Sequence, residues 1–388
     1  MLSLIHCSDV HLDTPMTLYE YNRQNAGGAE LRTVFSSMMQ YVREHKVPLL
    51  LIAGDLFGNA FVTKETVLFL KREFAAAQDC RIVIAPGADD ACTPVSPYLT
   101  ERFSDNVYVF RSPEVTRFSF PELRADVYGI ARCPLEELPG SMPLAGFSVS
   151  DKNAYNIFCA SADLSGNARN GSAPVVTKEQ LVRAGIDYAA LGGLHNAGNL
   201  RRAAVGDTAV TYFAYSGCLA GRDFDEPGYK SAIRAELAKT ALGVPNLNVG
   251  RLRFSRRHFE TLEADISGCR DIRSAADVAA RRMQETDCNR ETVLRLILTG
   301  TTAPSLYLEE KTFRPLLPAL AGLQLLDRTV PDPDAELLSS DPTLRGAFYE
   351  ELRPMLENGT DEEKETARLA LRMGLSALAE SGHGHEIH

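Results

Sequence analysis

The sequence predicts an α/β protein in which strands buried on both faces are layered between helices, followed by a smaller α/β module and a helical end. Three observations carry that prediction. Short continuous apolar runs recur through the first 250 residues, separated early on by amphipathic stretches, and continuous runs mark strands covered on both sides. Each run ends in a group of polar or glycine residues, as expected where an α/β fold presents a site at one sheet edge. Beyond about residue 250 the pattern changes to isolated strand and helix signals interrupted by proline.

The elements follow in order. Residues 2–5, 49–53, 81–85, 157–160 and 188–191 read as strands. Residues 31–45 and 64–77 place apolar side chains three and four apart and read as helices. Further on, 251–266 reads as one or two strands, 274–286 as a helix, 292–298 as a strand and 323–329 as another. Residues 306–320 read as a helix broken by Pro315 and Pro318. The linker Val330-Pro331-Asp332-Pro333-Asp334 precedes two terminal helices. The last opens with the capping-box pattern Thr360-Asp361-Glu362-Glu363 and carries an apolar stripe of Ala367, Leu371, Leu375 and Leu378. The expected domains are 1–250, 251–330 and 331–388.

Composition narrows the function classes. The 388 residues are 45% apolar and 24% charged, ordinary for a soluble globular chain. The longest apolar run, 48–53, is far too short to cross a bilayer. The first nine residues contain no basic region and meet an acid early, so no secretory signal is expected and the location is expected to be cytoplasmic. A net charge of −10 argues against a general basic coat for nucleic acid, while leaving room for a local track. The eight cysteines are scattered without a C-x-x-C pair, against a zinc ribbon or a disulfide framework. Of eight histidines, His383, His385 and His388 sit in the tail, leaving five for the folded body.

Asp9, His11, Asp55 and His195 each lie just past a predicted strand. Two carboxylates and two imidazoles suit a divalent transition metal such as manganese, iron or zinc. Asp9 and His11 are two residues apart, so an extended strand end would point both the same way. Asp55 follows Gly54, which permits a tight turn. An ion held there would polarise a phosphoryl oxygen and lower the pKa of water. His6, inside the first strand, is expected to pack or to support a ligand. The cluster Arg251, Arg253, Arg256 and Arg257, interleaved with Phe254 and Phe259, is the candidate nucleic-acid surface.

Ser8-Asp9-Val10-His11-Leu12, Gly54-Asp55-Leu56-Phe57, Pro86-Gly87-Ala88-Asp89-Asp90 and Ala190-Leu191-Gly192-Gly193-Leu194-His195 resemble the successive signatures of the calcineurin-like metallophosphoesterases. Together with the segment from Tyr215 to Glu226, they are most similar to the DNA repair exonuclease branch of SbcD/YhaO type. The resemblance spans about 220 residues. It implies a β-sheet sandwich flanked by helices, a small α/β cap domain and C-terminal helices. It also implies DNA ends as substrate, a partner ATPase of the SMC-like, SbcC type, and a homodimer.

The departures from that family bear on the chemistry. Its third signature carries Asn and His where this chain has Ala88 and Asp89, and its fourth and fifth carry ligand histidines where this chain has Ser161 and Gly193. The resemblance therefore implies one ion, manganese first, with Fe2+ or Zn2+ as alternatives, held by Asp9, His11, Asp55 and His195. The second-metal positions Ala88, Ser161 and Gly193 are substituted. Asp89 stands where the family's general acid would be, and Cys159 or Asp163 could approach the altered side. The expected function is a phosphodiesterase acting on DNA. The alternatives are an inactive pseudo-nuclease that binds DNA or the ATPase, and a phosphoesterase for nucleotides or other small phosphates.

Overall fold

Two six-stranded sheets lie face to face in the N-terminal part of the computed structural model, which is described for all residues except 17–25, 61, 134–142, 165–173, 207–208, 303–305, 307, 332–337 and 382–388. The tail histidines and residues 332–334 of the linker lie outside the described residues. The chain divides into two units, Met1–Phe259 and Glu260–His388.

The strands of the first unit are β1 Leu2–Cys7, β2 Leu49–Ala53, β3 Arg81–Ala85, β4 Val107–Val109, β5 Thr116–Phe120, β6 Ala125–Gly129, β7 Tyr155–Ser161, β8 Tyr188–Gly192, β9 Arg201–Val205, β10 Ala209–Tyr215, β11 Ala232–Lys239 and β12 Pro245–Leu252. One sheet has the order β12-β11-β1-β2-β3-β4, the other β5-β6-β7-β8-β10-β9. β1 to β4 run parallel, as do β6, β7, β8 and β10. The C-terminal ends of β1, β2, β3, β7 and β8 thus gather their loops at one edge.

The alternation of side chains along a strand explains why the runs are continuous. Ile157, Cys159, Tyr188 and Ala190 face the layer shared with Leu4, Leu50 and Ile52. Their neighbours Phe158, Ala160, Ala189 and Leu191 pack outward against Leu181 and Ala184 of the helix Lys178–Ala184. The helices Ala26–Glu44 and Lys64–Ala75 contribute Phe35, Met38, Leu70 and Phe74 to the first of these clusters. Each fully buried Leu or Phe stabilises the fold by about 1.5–3 kcal/mol. The expected boundary at 250 falls inside β12, which pairs with β11 from Pro245 to Leu252 and so belongs to the first unit.

The second unit contains most of β13 His258–Asp265, with β14 Thr292–Thr299 and β16 Gly322–Asp327 beside it in one sheet. A short pair, β15 Thr301–Thr302 with β17 Val330–Pro331, adjoins β14 in sequence. The helix Ile272–Gln284 is capped by Asp271 and Ser274 and packs Ala275, Ala279 and Met283 against Leu294, Leu296 and Phe313. Residues 253–257 are not strand, so the expected 251–266 segment divides at that point. The expected 306–320 helix reduces to Glu310–Phe313 and a 3-10 turn at Arg314–Leu316, because Pro315 and Pro318 lack the N–H a longer helix needs. The helices Leu344–Asn358 and Asp361–Ser381 meet through Phe348, Tyr349 and Leu371. The capping box forms as the spacing predicts, with Thr360 N–H donating to Glu363 at 2.8 Å. Among the described residues, no helix is long and apolar enough to cross a membrane.

Candidate metal centre

The site begins with strained backbone. Among the described residues, six non-glycine residues adopt positive φ, and three of them are Asp9, His11 and Asp55, each at 50°. Such conformations cost about 1–3 kcal/mol and persist where the surroundings enforce them, often at functional sites. Here the enforcement is a run of backbone bonds from one loop to the other: Asp9 N–H to Gly54 O at 3.0 Å, His11 N–H to Asp55 O at 2.9 Å and Leu12 N–H to Leu56 O at 3.0 Å. β1 has already ended at Cys7, so Asp9 and His11 do not converge as alternate residues of an extended strand. They converge because both turn through the left-handed region.

The two sheets close tightly at this edge. A Cβ on Gly192 would stand 1.6 Å from the Ala53 carbonyl oxygen and 2.7 Å from Ser8 Cβ, so only glycine fits there. That approach brings the loop after β8 onto Asp9. Gly193 N–H donates to the Asp9 carboxylate at 3.1 and 3.2 Å, and Ser8 Oγ–H donates to Asp9 Oδ2 at 2.5 Å. Burial pushes the Asp9 carboxyl up, against the lowering effect of Ser8 and of both histidines.

Asp9, His11 and His195 present ligand atoms that all lie within 4.8 Å of one another. His11 Nε2 and His195 Nε2 are 3.3 Å apart, and His195 Nε2 is 4.0 Å from Asp9 Oδ1. Two imidazoles meeting through like atoms satisfy each other only if one of the two nitrogens carries hydrogen, whereas a cation ligated by both uses each lone pair. One carboxylate and two imidazoles therefore fit a divalent transition ion.

The tautomer of His195 is set from behind. Its Nδ1 lies 2.7 Å from Glu226 Oε1 and 3.2 Å from the Arg222 guanidinium; the carboxylate oxygen favours a hydrogen on Nδ1, and in that tautomer the Nε2 lone pair faces His11 and Asp9. Glu226 also receives the Arg222 guanidinium and, at 2.8 Å, the Arg222 N–H. Burial alone would push the Glu226 carboxyl up, but His195 and Arg222 outweigh it and hold it well below the usual range. Glu226 raises the His195 imidazole above its ordinary value, with burial opposing and Asp9 assisting. The sequence placed Glu226 in a family-like segment without a role. The spacing of Arg222 and Glu226, four residues apart, was the available signal.

Asp55 is not among the three mutually close ligand groups. Its Oδ1 accepts from Asp89 N–H at 2.7 Å, and Gly87 leaves room for it, since a Cβ there would stand 2.6 Å from that oxygen. Burial, reinforced by Asp90 and Asp9, pushes the Asp55 carboxyl up to about 7. Asp90 is the unexpected organiser of this loop. Fully buried, it accepts from Asp55 N–H at 3.1 Å, Leu56 N–H at 2.9 Å, Gly87 N–H at 2.6 Å and Tyr98 O–H at 2.7 Å.

Asp89 lies 3.2 Å from His11 Nδ1, its side chain 57% exposed, but off the direction of a well-formed ring hydrogen bond. The His11 ring beside it holds the Asp89 carboxyl below the usual range, with burial opposing. Asp89, the expected general acid, thus stands beside His11 at the mouth of the site. Of the substituted positions, Ser161 packs on two glycines, its Oγ 3.0 Å from where a Gly193 Cβ would be and 3.2 Å from a Gly54 Cβ. Ala88 lies on the neighbouring loop and Gly193 brings only its backbone. Cys159 faces the apolar layer between the sheets, and burial pushes its thiol up, so it does not approach the site.

The basic cluster is largely committed to the protein. Arg251 donates to the carbonyls of Ser216, at 3.2 Å, and of Gly198, and Arg253 stacks over the Tyr229 ring at 4.2 Å. Arg257 pairs with Glu30 at 2.7 Å, and Arg256 is exposed.

No protein-family model matches the chain. It is 31% identical over 208 residues to the "Uncharacterized metallophosphoesterase YhaO" of Bacillus subtilis strain 168, covering 50% of this chain and 48% of that one. The chain thus spans about half the length of the curated relative it matches. Among solved structures it is similar to TT1561 of Thermus thermophilus, at 11% identity and a TM-score of 0.34, covering 64% of this chain and 98% of that one. It is also similar to a double mutant of Vps29 from Entamoeba histolytica, at 12% identity and a TM-score of 0.28, covering 65% of this chain and 99% of that one.

Proposed function

We propose that the chain is a metal-dependent phosphoesterase of the metallophosphoesterase type, working with one divalent ion held by Asp9, His11 and His195, with Asp55 alongside. The observation that carries this reading is the convergence of those three ligand groups, with the Glu226 carboxylate 2.7 Å behind His195. The similarity to a metallophosphoesterase over half the chain supports it. When bound, the ion supplies Lewis acidity toward a phosphoryl oxygen and makes water a stronger acid. The protein contributes orientation: Ser8 and Gly193 hold Asp9, Glu226 holds His195, and Asp89 flanks His11.

The motif resemblance favours DNA ends as substrate, manganese as the ion, and assembly with an SMC-like ATPase and a second copy of this chain. The test pairs manganese with blunt and single-stranded DNA ends and, separately, with bis-p-nitrophenyl phosphate, using wild-type protein and Asp9→Asn. Cleavage of both that is lost in the variant is expected. Cleavage of the small ester alone would move the substrate to small phosphates.

A second reading, a pseudo-nuclease that binds without cutting, is favoured by Ala88 and Gly193, which bring no side-chain donor to the altered side. Binding of DNA ends with no turnover of either substrate would establish that reading instead.

A further inference from the structure

Arg132 takes no part in the chemistry described so far. Its backbone N–H donates to Pro86 O at 3.0 Å and its carbonyl accepts from Cys92 N–H at 2.8 Å. These two bonds clip it to both ends of the loop that carries Gly87, Ala88, Asp89 and Asp90. The residue is only 8% exposed. Its guanidinium nevertheless has no hydrogen bond or ion pair with any of the described residues, and the carboxylate whose field favours its charge is Asp55.

The residue as a whole is buried, yet its guanidinium nitrogens are left to solvent rather than to any of the described residues, so their five donors are open to a ligand. Burial lowers the Arg132 pKa, with Asp55 opposing that effect. The ligand that matches a planar fork of N–H donors is a phosphate or carboxylate. Arg132 lies on the Asp55 side of the cleft, next to the loop bearing Ala88, where no side-chain donor for a second cation is supplied. A guanidinium there offers positive charge and directed donors together.

We propose that Arg132 is a phosphate-binding residue, its guanidinium gripping a non-bridging oxygen of the substrate's phosphoryl group on the Asp55 side of the cleft. The proposal deepens the phosphoesterase reading and rests on it for the identity of the ligand.

The test titrates inorganic phosphate into the manganese-loaded full chain by calorimetry, for wild type, Arg132→Gln and Arg132→Met, with manganese affinity measured in parallel. Wild type should bind phosphate, and either variant should weaken it roughly ten- to hundredfold, the worth of a charge-assisted hydrogen bond. Manganese affinity should stay within about twofold, since Arg132 is not a ligand. Phosphate affinity equal to wild type in a folded variant overturns the proposal, as does wild-type protein that binds manganese but no phosphate. Protein that binds no manganese at all defeats the phosphoesterase reading instead, and titration of phosphate into that same protein still tests Arg132. Should neither variant fold, phenylglyoxal labelling of wild type decides by peptide mass: phosphate should protect Arg132, and equal labelling with and without phosphate refutes its role.

Discussion

Replacing Glu226 by glutamine isolates what holding His195 from behind contributes to metal affinity. Glu226 Oε1 lies 2.7 Å from His195 Nδ1, while both carboxylate oxygens are also engaged by Arg222. Glutamine keeps the shape but offers one acceptor oxygen and one NH2. It can serve His195 or Arg222, and whichever loses faces a donor. A carboxylate that orients a ligand histidine is worth about 10–100-fold in metal affinity, or about 1.4–2.7 kcal/mol. The lost charge opposite Arg222 should also cost stability, about 1–3 kcal/mol. The assay is manganese calorimetry together with urea denaturation of the metal-free protein. Wild-type manganese affinity in Glu226→Gln, alongside the stability loss, would refute the reasoning and reduce Glu226 to a brace for the Arg222 loop.

Three further outcomes follow from the same packing. His6 is fully buried, with Tyr188 O–H at 2.8 Å from Nδ1 and Leu191 O at 3.2 Å from Nε2, and burial lowers its pKa to about 3. Because the unfolded chain takes up that proton near pH 6.5 and the folded chain does not, stability should be complete above about 6.5 and fall as pH drops toward 3, by at most about 1.4 kcal/mol per unit. Urea midpoints of His6→Gln should show a flatter acid slope than wild type, and identical slopes would contradict the assignment. Asp90→Ala orphans four buried donors and should cost about 3–5 kcal/mol by urea denaturation, whereas a loss below about 1 kcal/mol would show that the loop rebuilds its bonds. Gly192→Ala should yield no stably folded protein, and a melting temperature like that of wild type would mean the sheets do not close as described.

Much of this architecture was legible because the strands that build the site are buried on both faces. β1, β2, β3, β7 and β8 stand out as unbroken apolar runs since helices cover what the sandwich layer does not. β9, Arg201–Val205, is largely exposed and β5, Thr116–Phe120, half polar, so neither carries such a signal. β11 and β12 alternate polar and apolar, and the first unit therefore extends past the expected boundary. At the site, Asp9, His11 and His195 were readable from their placement after strands. Asp55 is expected from the sequence as a fourth ligand, and that its Oδ1 accepts from Asp89 N–H is not legible there, because a backbone donor has no signature in composition. Glu226 and Asp90 act across 31 and 35 positions of chain on His195 and Asp55, and spacing of that length says nothing about contact until the sheets are assembled.

The central claim is a single metal centre built on Asp9, His11 and His195, and metal stoichiometry tests it most directly. Manganese should be counted, by equilibrium dialysis and elemental analysis, on protein ending before Gly382 so that the tail histidines contribute nothing. One ion per chain is expected in wild type, lost in Asp9→Asn and in His195→Ala. Two tightly held ions, or one that survives both substitutions, would contradict it.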